Sequence, residues 1–246
     1  MGAELYVLLL IALVALGAGY TQSVTGFGFG IFAMIFLPSL LLYTEANVLS
    51  SILSALTSLT VLIVMRKKVS WKNLVFPVLG GILTNYLAVR FVGSTKNDTL
   101  ILLLGIALLI LSVYFFFFSG KIKIRPTPYA GLIAGLISGA MNGLFAIGGP
   151  PVVIYFVHSE KDTDRYLATI SAYFVLSGAV TVSMKAASGF VTQNVLLGLL
   201  FGVFGMLAGS LLGKLTRTKI KPSMIKKAVY GVMAASGLIN IISFFL

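Results

Sequence analysis

The sequence predicts an all-α polytopic membrane protein of two inverted repeats, each a glycine-broken helical hairpin followed by three transmembrane helices. Three observations predict it. Apolar stretches of span length recur along the whole chain, two of them are overlong and broken by glycine, and the cations sort to one side only when those two fold as hairpins. Hydrophobic residues make up 59% of the 246, charged residues only 10%, and the mean hydropathy of +1.06 far exceeds that of a water-soluble domain.

The segments fall at about 5–42, 46–65, 73–92, 99–118, 128–157, 166–184, 190–213 and 223–246. The first, roughly 38 residues long, exceeds one membrane thickness at ~1.5 Å per residue and carries the break Thr25-Gly26-Phe27-Gly28-Phe29-Gly30. With no basic n-region before it, this run reads as structural and not as a cleaved secretory signal. The next three are ordinary spans, separated by the basic turn from Arg66 to Lys72 and the polar turn around Lys96. The fifth repeats the anomaly over roughly 30 residues, broken at Gly143-Leu144-Phe145-Ala146-Ile147-Gly148-Gly149-Pro150-Pro151. Three more spans close the chain. Gly28 and Gly148 lie 120 residues apart, and Gly80-Gly81 and Gly202 keep nearly that spacing, so the order of elements argues for repeats at 1–120 and 121–246 within one integral membrane domain.

Charge decides how the broken segments are built. If each crosses once, eight of the 18 cations fall on one side and ten on the other, which is no bias. If each is a hairpin, formed by two helices or by one helix with a re-entrant partner, only Arg90, Lys96 and Lys185 fall on one side. The other 15 share the opposite side, as cytoplasmic loops do. The first half then starts outside and ends inside, the second does the reverse, and both termini face outward. The expected location is a plasma membrane such as the bacterial inner membrane, with the lipid bilayer as a partner.

The stretches from Gly19 to Pro38 and from Gly131 to Tyr155, opening the two halves, resemble the TauE/SafE or sulfite exporter family of membrane transporters. Ala146-Ile147-Gly148-Gly149-Pro150-Pro151 is similar to the family's glycine run, while phenylalanines interrupt the first copy, Gly26-Phe27-Gly28-Phe29-Gly30. The resemblance covers nearly the whole chain. It implies a secondary transporter for a small sulfur-containing or organic anion of the sulfite, sulfonate or sulfoacetate class, moved by alternating access between the repeats. An anion channel of the same architecture is the alternative.

Helix ends give the chemistry. A helix that stops and restarts inside the protein offers free N–H groups and the positive end of its dipole to an anion. Gly28 and Gly30 at one break, and Gly148 and Gly149 at the other, permit close backbone approach, and Pro150 and Pro151 suit a first helical turn. Beside them Gln22, Ser23, Thr25 and Asn142 offer directed donors, and Gly26, Phe27, Phe29, Gly143 and Phe145 complete the expected substrate site, with Thr25 and Asn142 first in expectation. The bland reading is helix packing, preferred for Gly131, Gly135 and Gly139 at spacing four.

The carboxylates Glu4, Glu45, Asp98, Glu160, Asp162 and Asp164 all lie at segment ends or in loops, so no proton or cation relay is visible within a span. Arg90 and Lys185 read as snorkelling anchors, and His158 as part of a solvated loop or a pH-sensitive gate. The net charge of +12 reads as membrane anchoring, with no nucleic-acid partner. With no cysteine and one histidine the chain is expected to hold no metal or other cofactor, and it offers no constellation for an enzyme.

Overall fold

The computed structural model describes residues 2–118, 120–160, 162–216 and 222–245, and every regular element among them is helical. Among the described residues eight helices are long and apolar enough to cross a membrane. These are α1 (Gly2–Thr25), α3 (Tyr43–Met65), α4 (Trp71–Ser94), α5 (Asn97–Phe117), α6 (Pro128–Phe145), α8 (Thr163–Ala187), α9 (Gln193–Thr216) and α10 (Pro222–Phe245). Two short helices, α2 (Phe29–Phe36) and α7 (Gly149–Ser159), follow the breaks. At 8 and 11 residues they rise only ~12 and ~17 Å, well short of the ~30 Å of hydrocarbon. Each broken segment is therefore a crossing helix with a short partner.

The two breaks are made differently. In the first, Gly26 and Gly28 have φ of 84° and 102°, values that L side chains avoid and glycine adopts freely. In the second, Gly148 is ordinary at φ −81°, and the left-handed residue is Ala146 at φ 56°. Among the described residues Ala146 is the only non-glycine with positive φ. A single strained alanine costs of order 1–2 kcal/mol and persists where its surroundings hold it. Gly148 is needed for space instead, since a Cβ there would lie 2.8 Å from the Asn142 Cβ.

Glycine also sets how the crossing helices meet. A Cβ on Gly205 would lie 2.0 Å from the Ala12 carbonyl oxygen and one on Gly209 2.0 Å from that of Leu16, so α9 lies backbone to backbone on α1. The pair α6 and α4 repeats the device, with Gly135 at 2.1 Å from the Pro77 oxygen and Gly139 at 2.1 Å from that of Gly81. Packing is thus the role of Gly135 and Gly139. In both pairs residue numbers rise together, so the helices run parallel. By contrast α3 and α8 run antiparallel, as Lys185 meets Asn47 and Ser51 while Ala55 meets Gly178. The α5 and α10 pair does the same through Gly105 beside Gly237 and Ser112 Oγ donating 2.9 Å to the Tyr230 carbonyl.

This pairing survives exchange of the two halves: α1 on α9 becomes α6 on α4, and the α3–α8 and α5–α10 pairs map onto themselves. Two buried carboxylates follow the same exchange. Glu45, in the first turn of α3, accepts from Thr192 Oγ1 at 2.6 Å and Asn194 Nδ2 at 3.2 Å at the start of α9. Glu160, just before α8, accepts from Asn73 Nδ2 at 2.9 Å at the start of α4. Because α3 and α8 are antiparallel, these links lie at opposite faces. The described cations of the basic loops gather on the Glu160 face, at the ends of α3, α5 and α9 and the starts of α4, α6, α8 and α10. Residues 217–221 of the last basic loop lie outside the described residues.

Candidate functional site

Where the two broken segments meet, backbone touches backbone. A Cβ on Gly30 would sit 1.9 Å from the Ala146 carbonyl oxygen, and one on Gly149 would lie 3.4 Å from the Phe27 ring. The first turns of α2 and α7 therefore converge inside the bundle. Neither helix has a side-chain cap, and the first N–H groups of any helix lack partners within it. Gly28, Gly30, Gly148 and Gly149 line a cavity of about 30 Å³ together with Gln22, Ser54, Asn142 and Phe174. A second cavity of about 20 Å³ shares Ser54, Asn142, Gly148 and Phe174 with it and extends to Ser51, Ser138, Tyr173 and Ser177.

The polar wall of these cavities comes from α3 and α8. Asn47, Ser51, Ser54 and Ser58 recur at helical spacing on α3, and Thr169, Tyr173, Ser177, Thr181 and Lys185 recur every four residues on α8. Successive residues so spaced are neighbours on the helix surface, so two apolar spans carry polar seams that meet between them. The seams grip the C-terminal end of α6, whose last carbonyls have no partner within the helix. Tyr43 Oη and Asn47 Nδ2 donate to the Leu144 oxygen at 2.6 and 2.7 Å. Lys185 Nζ donates to Asn47 Oδ1, to Ser51 Oγ at 2.8 Å and to the Asn142 carbonyl at 3.4 Å. Asn142 Nδ2 donates 2.8 Å to Thr181 Oγ1, which also accepts from Asn85. Tyr173 Oη donates to Ser138 Oγ at 2.9 Å, and that hydroxyl donates to the Gly148 carbonyl.

Of the residues the sequence singled out, Gln22, Gly28, Gly30, Asn142, Gly148 and Gly149 line the larger cavity. Gln22 Nε2 donates 2.9 Å to Ser58 Oγ. Thr25 lies off the lining of both cavities, and its hydroxyl sits within 2.8 Å of the Thr21 carbonyl and 2.5 Å of that of Phe27, bracing the turn. Ser23 Oγ donates to the Ser210 carbonyl on α9 at 2.9 Å. Gly26 packs against Leu167, Gly143 against Asn85 and Ala88, and Phe29, Phe145 and Pro150 are buried, with Pro151 half-buried beside them. Phe27 lies under Lys226, 5.7 Å from its Nζ.

The charged residues divide. Arg90 is exposed and lies over the Tyr86 ring at 5.8 Å, as an anchor would. His158 Nδ1 is 2.8 Å from the Ile154 carbonyl of its own helix. Lys185 does not snorkel: its side chain has no exposed surface, because α8 turns it inward against α3 and the end of α6. Ser51, Ser54, Ser138, Tyr173, Ser177 and Lys185 were missed by reading the breaks alone. The polar spacing on α8 is the signal for Tyr173, Ser177 and Lys185 and that on α3 for Ser51 and Ser54, while no such spacing marks Ser138 on α6.

A multi-pass helical bundle in which two half-helices abut at a buried polar cavity defines a membrane transport protein. The family model described as sulfite exporter TauE/SafE matches residues 11–239, and the chain belongs to that family. It is 24% identical over 251 residues, covering 96% of this chain and 95% of the relative, to a probable sulfite/organosulfonate exporter TauE of Cupriavidus necator. No solved structure matches the chain.

Proposed function

We propose that this protein is a secondary transporter that carries sulfite or a small organosulfonate across the membrane by alternating access at the interface of two inverted repeats, residues 1–120 and 121–246. The observation that carries the reading is the convergence of two uncapped half-helix N-termini on one buried cavity lined by Gln22, Asn142 and four glycines. Aligned N–H groups and two positive dipole ends suit a small sulfur oxyanion. The sulfite exporter family and its relative, a probable sulfite/organosulfonate exporter, supply the substrate class. The exchange-symmetric helix pairing, with α1 parallel to α9 and α6 parallel to α4, supports the repeats. Cavities of 20 and 30 Å³ admit a water or two and no sulfonate, which favours a closed carrier over an open channel.

The test is flux of labelled sulfite, sulfoacetate and alkanesulfonates into proteoliposomes, with membrane potential and pH gradient set independently. Saturable flux is expected, and Asn142→Ala should cut it at least about tenfold, since Asn142 lines both cavities and its amide ties the end of α6 to Thr181. No flux of any of these anions would sink the substrate class. Flux that fails to saturate would favour the channel.

The orientation has its own test. The chain lacks cysteine, so single cysteines report without background. A membrane-impermeant thiol reagent should label Lys96→Cys from outside intact cells and leave Lys121→Cys unlabelled. The opposite pattern would invert the proposed topology, in which both termini face out.

A further inference from the structure

Lys185 stands apart from every other cation of the chain that the structure describes. Its side chain has no exposed surface, and its Nζ is held by three neutral oxygens: Asn47 Oδ1, Ser51 Oγ and the Asn142 carbonyl. No carboxylate among the described residues pairs with it. A buried cation with only neutral partners is costly, and chains normally compensate it with a carboxylate or replace it. If capping the end of α6 were all that was required, a glutamine amide would donate to the same carbonyl without the cost of a charge. Two of its three partners belong to the cavity walls: Ser51 lines the smaller cavity and Asn142 lines both. The lysine is therefore one hydrogen bond removed from the space that the half-helix N-termini face.

We propose that Lys185 is the counter-charge of the transported anion and sets its preference for anion charge. The assignment rests on the transporter reading above and deepens it. In the closed structure Asn47, Ser51 and the Asn142 carbonyl form the resting perch of the ammonium. An anion in the widened cavity exchanges for one of these oxygens or is bridged to Nζ through Ser51, placing opposite charges roughly 3 to 6 Å apart. At such a separation, with an effective dielectric of about 20, each unit of anion charge gains at least about tenfold in affinity. A helix end also attracts in proportion to anion charge but counts for only about half a unit, whereas the ammonium carries a full one. The lysine adds a term that grows with charge, so dianions are selected over monoanions of similar size.

The experiment is binding to the full-length purified protein, with labelled sulfite displaced at neutral pH by methanesulfonate, which carries one negative charge, and by sulfoacetate, which carries two. The measured quantity is the ratio of the two dissociation constants in the wild type, Lys185→Gln, Lys185→Met and Lys185→Arg. Both neutral variants should shift the ratio by about tenfold or more against the dianion, and Lys185→Arg should keep it near the wild-type value. A structural cap would weaken both ligands equally. An unchanged ratio in a folded, monodisperse neutral variant therefore overturns the assignment while leaving the transporter reading intact. Absence of binding to the wild type overturns both. Should neither neutral variant be monodisperse, Asn47→Asp gives the same readout, because it sets a carboxylate against Nζ and cancels its charge. A shift against the dianion then supports the proposal, and an unchanged ratio overturns it.

Discussion

Replacing Gly30 by alanine is expected to abolish anion flux and to lower the unfolding temperature of the protein in detergent. The new Cβ would lie 1.9 Å from the Ala146 carbonyl oxygen and 3.0 Å from its carbon, and neither is the yielding end of a side chain. Carbon and oxygen that are not bonded stay about 3.3 Å apart, so the two breaks must separate by more than ~1 Å. Overpacking of this kind costs at least about 1–3 kcal/mol. Here it also pulls apart the two helix N-termini whose convergence makes the site. Gly28→Ala should do less, since its Cβ meets only a Thr21 methyl at 3.5 Å but its φ of 102° strains any L residue. Gly231→Ala is the control, with nothing within 4 Å. Thermal unfolding and proteoliposome flux on the three variants check the order, and a Gly30→Ala protein with wild-type flux would show that the breaks need not touch.

The contrast among these glycines marks how far the sequence could be read. The spans, the two breaks and the charge asymmetry were legible, because hydropathy, glycine clusters and basic loops are local signals that bilayer physics forces on any chain. The first turn of α7 at Gly149-Pro150 was legible for the same reason. The α3–α8 seam was not. One polar residue per turn is too dilute to disturb an apolar window, and Ser51 or Ser177 alone looks like any hydroxyl bonded to its own helix. Which way Lys185 faces depends on how α8 rotates against α3, and a residue near the end of a span reads as an anchor until that rotation is known. Thr25 misled in the opposite sense: a hydroxyl beside a break can bond the backbone that makes the turn, and there it does.

Removing either buried carboxylate latch is expected to bias the transporter toward one face, in opposite directions for the two. Glu45 joins the first turn of α3 to Thr192 and Asn194, and Glu160 joins the approach to α8 to Asn73 and, at 3.8 Å, to Arg165 Nε. Each latch crosses between the proposed repeats, and both are closed in the structure, as an occluded carrier requires. Hydrogen bonds to a charged group contribute ~1.5–3 kcal/mol, and each 1.4 kcal/mol moves a two-state population about tenfold. Glu45→Ala should therefore open the Glu45 face, and Glu160→Ala the basic face, each by about tenfold or more. Ser54→Cys supplies the reporter, because Ser54 lines both cavities and the chain has no other cysteine. Labelling by an impermeant thiol reagent should accelerate from the Glu45 face in the first variant and from the basic face in the second. Equal acceleration from both faces would mean that the carboxylates only hold the bundle together. Opposite shifts would make them the two gates of one site, so that anion movement requires their alternate release and never their joint one.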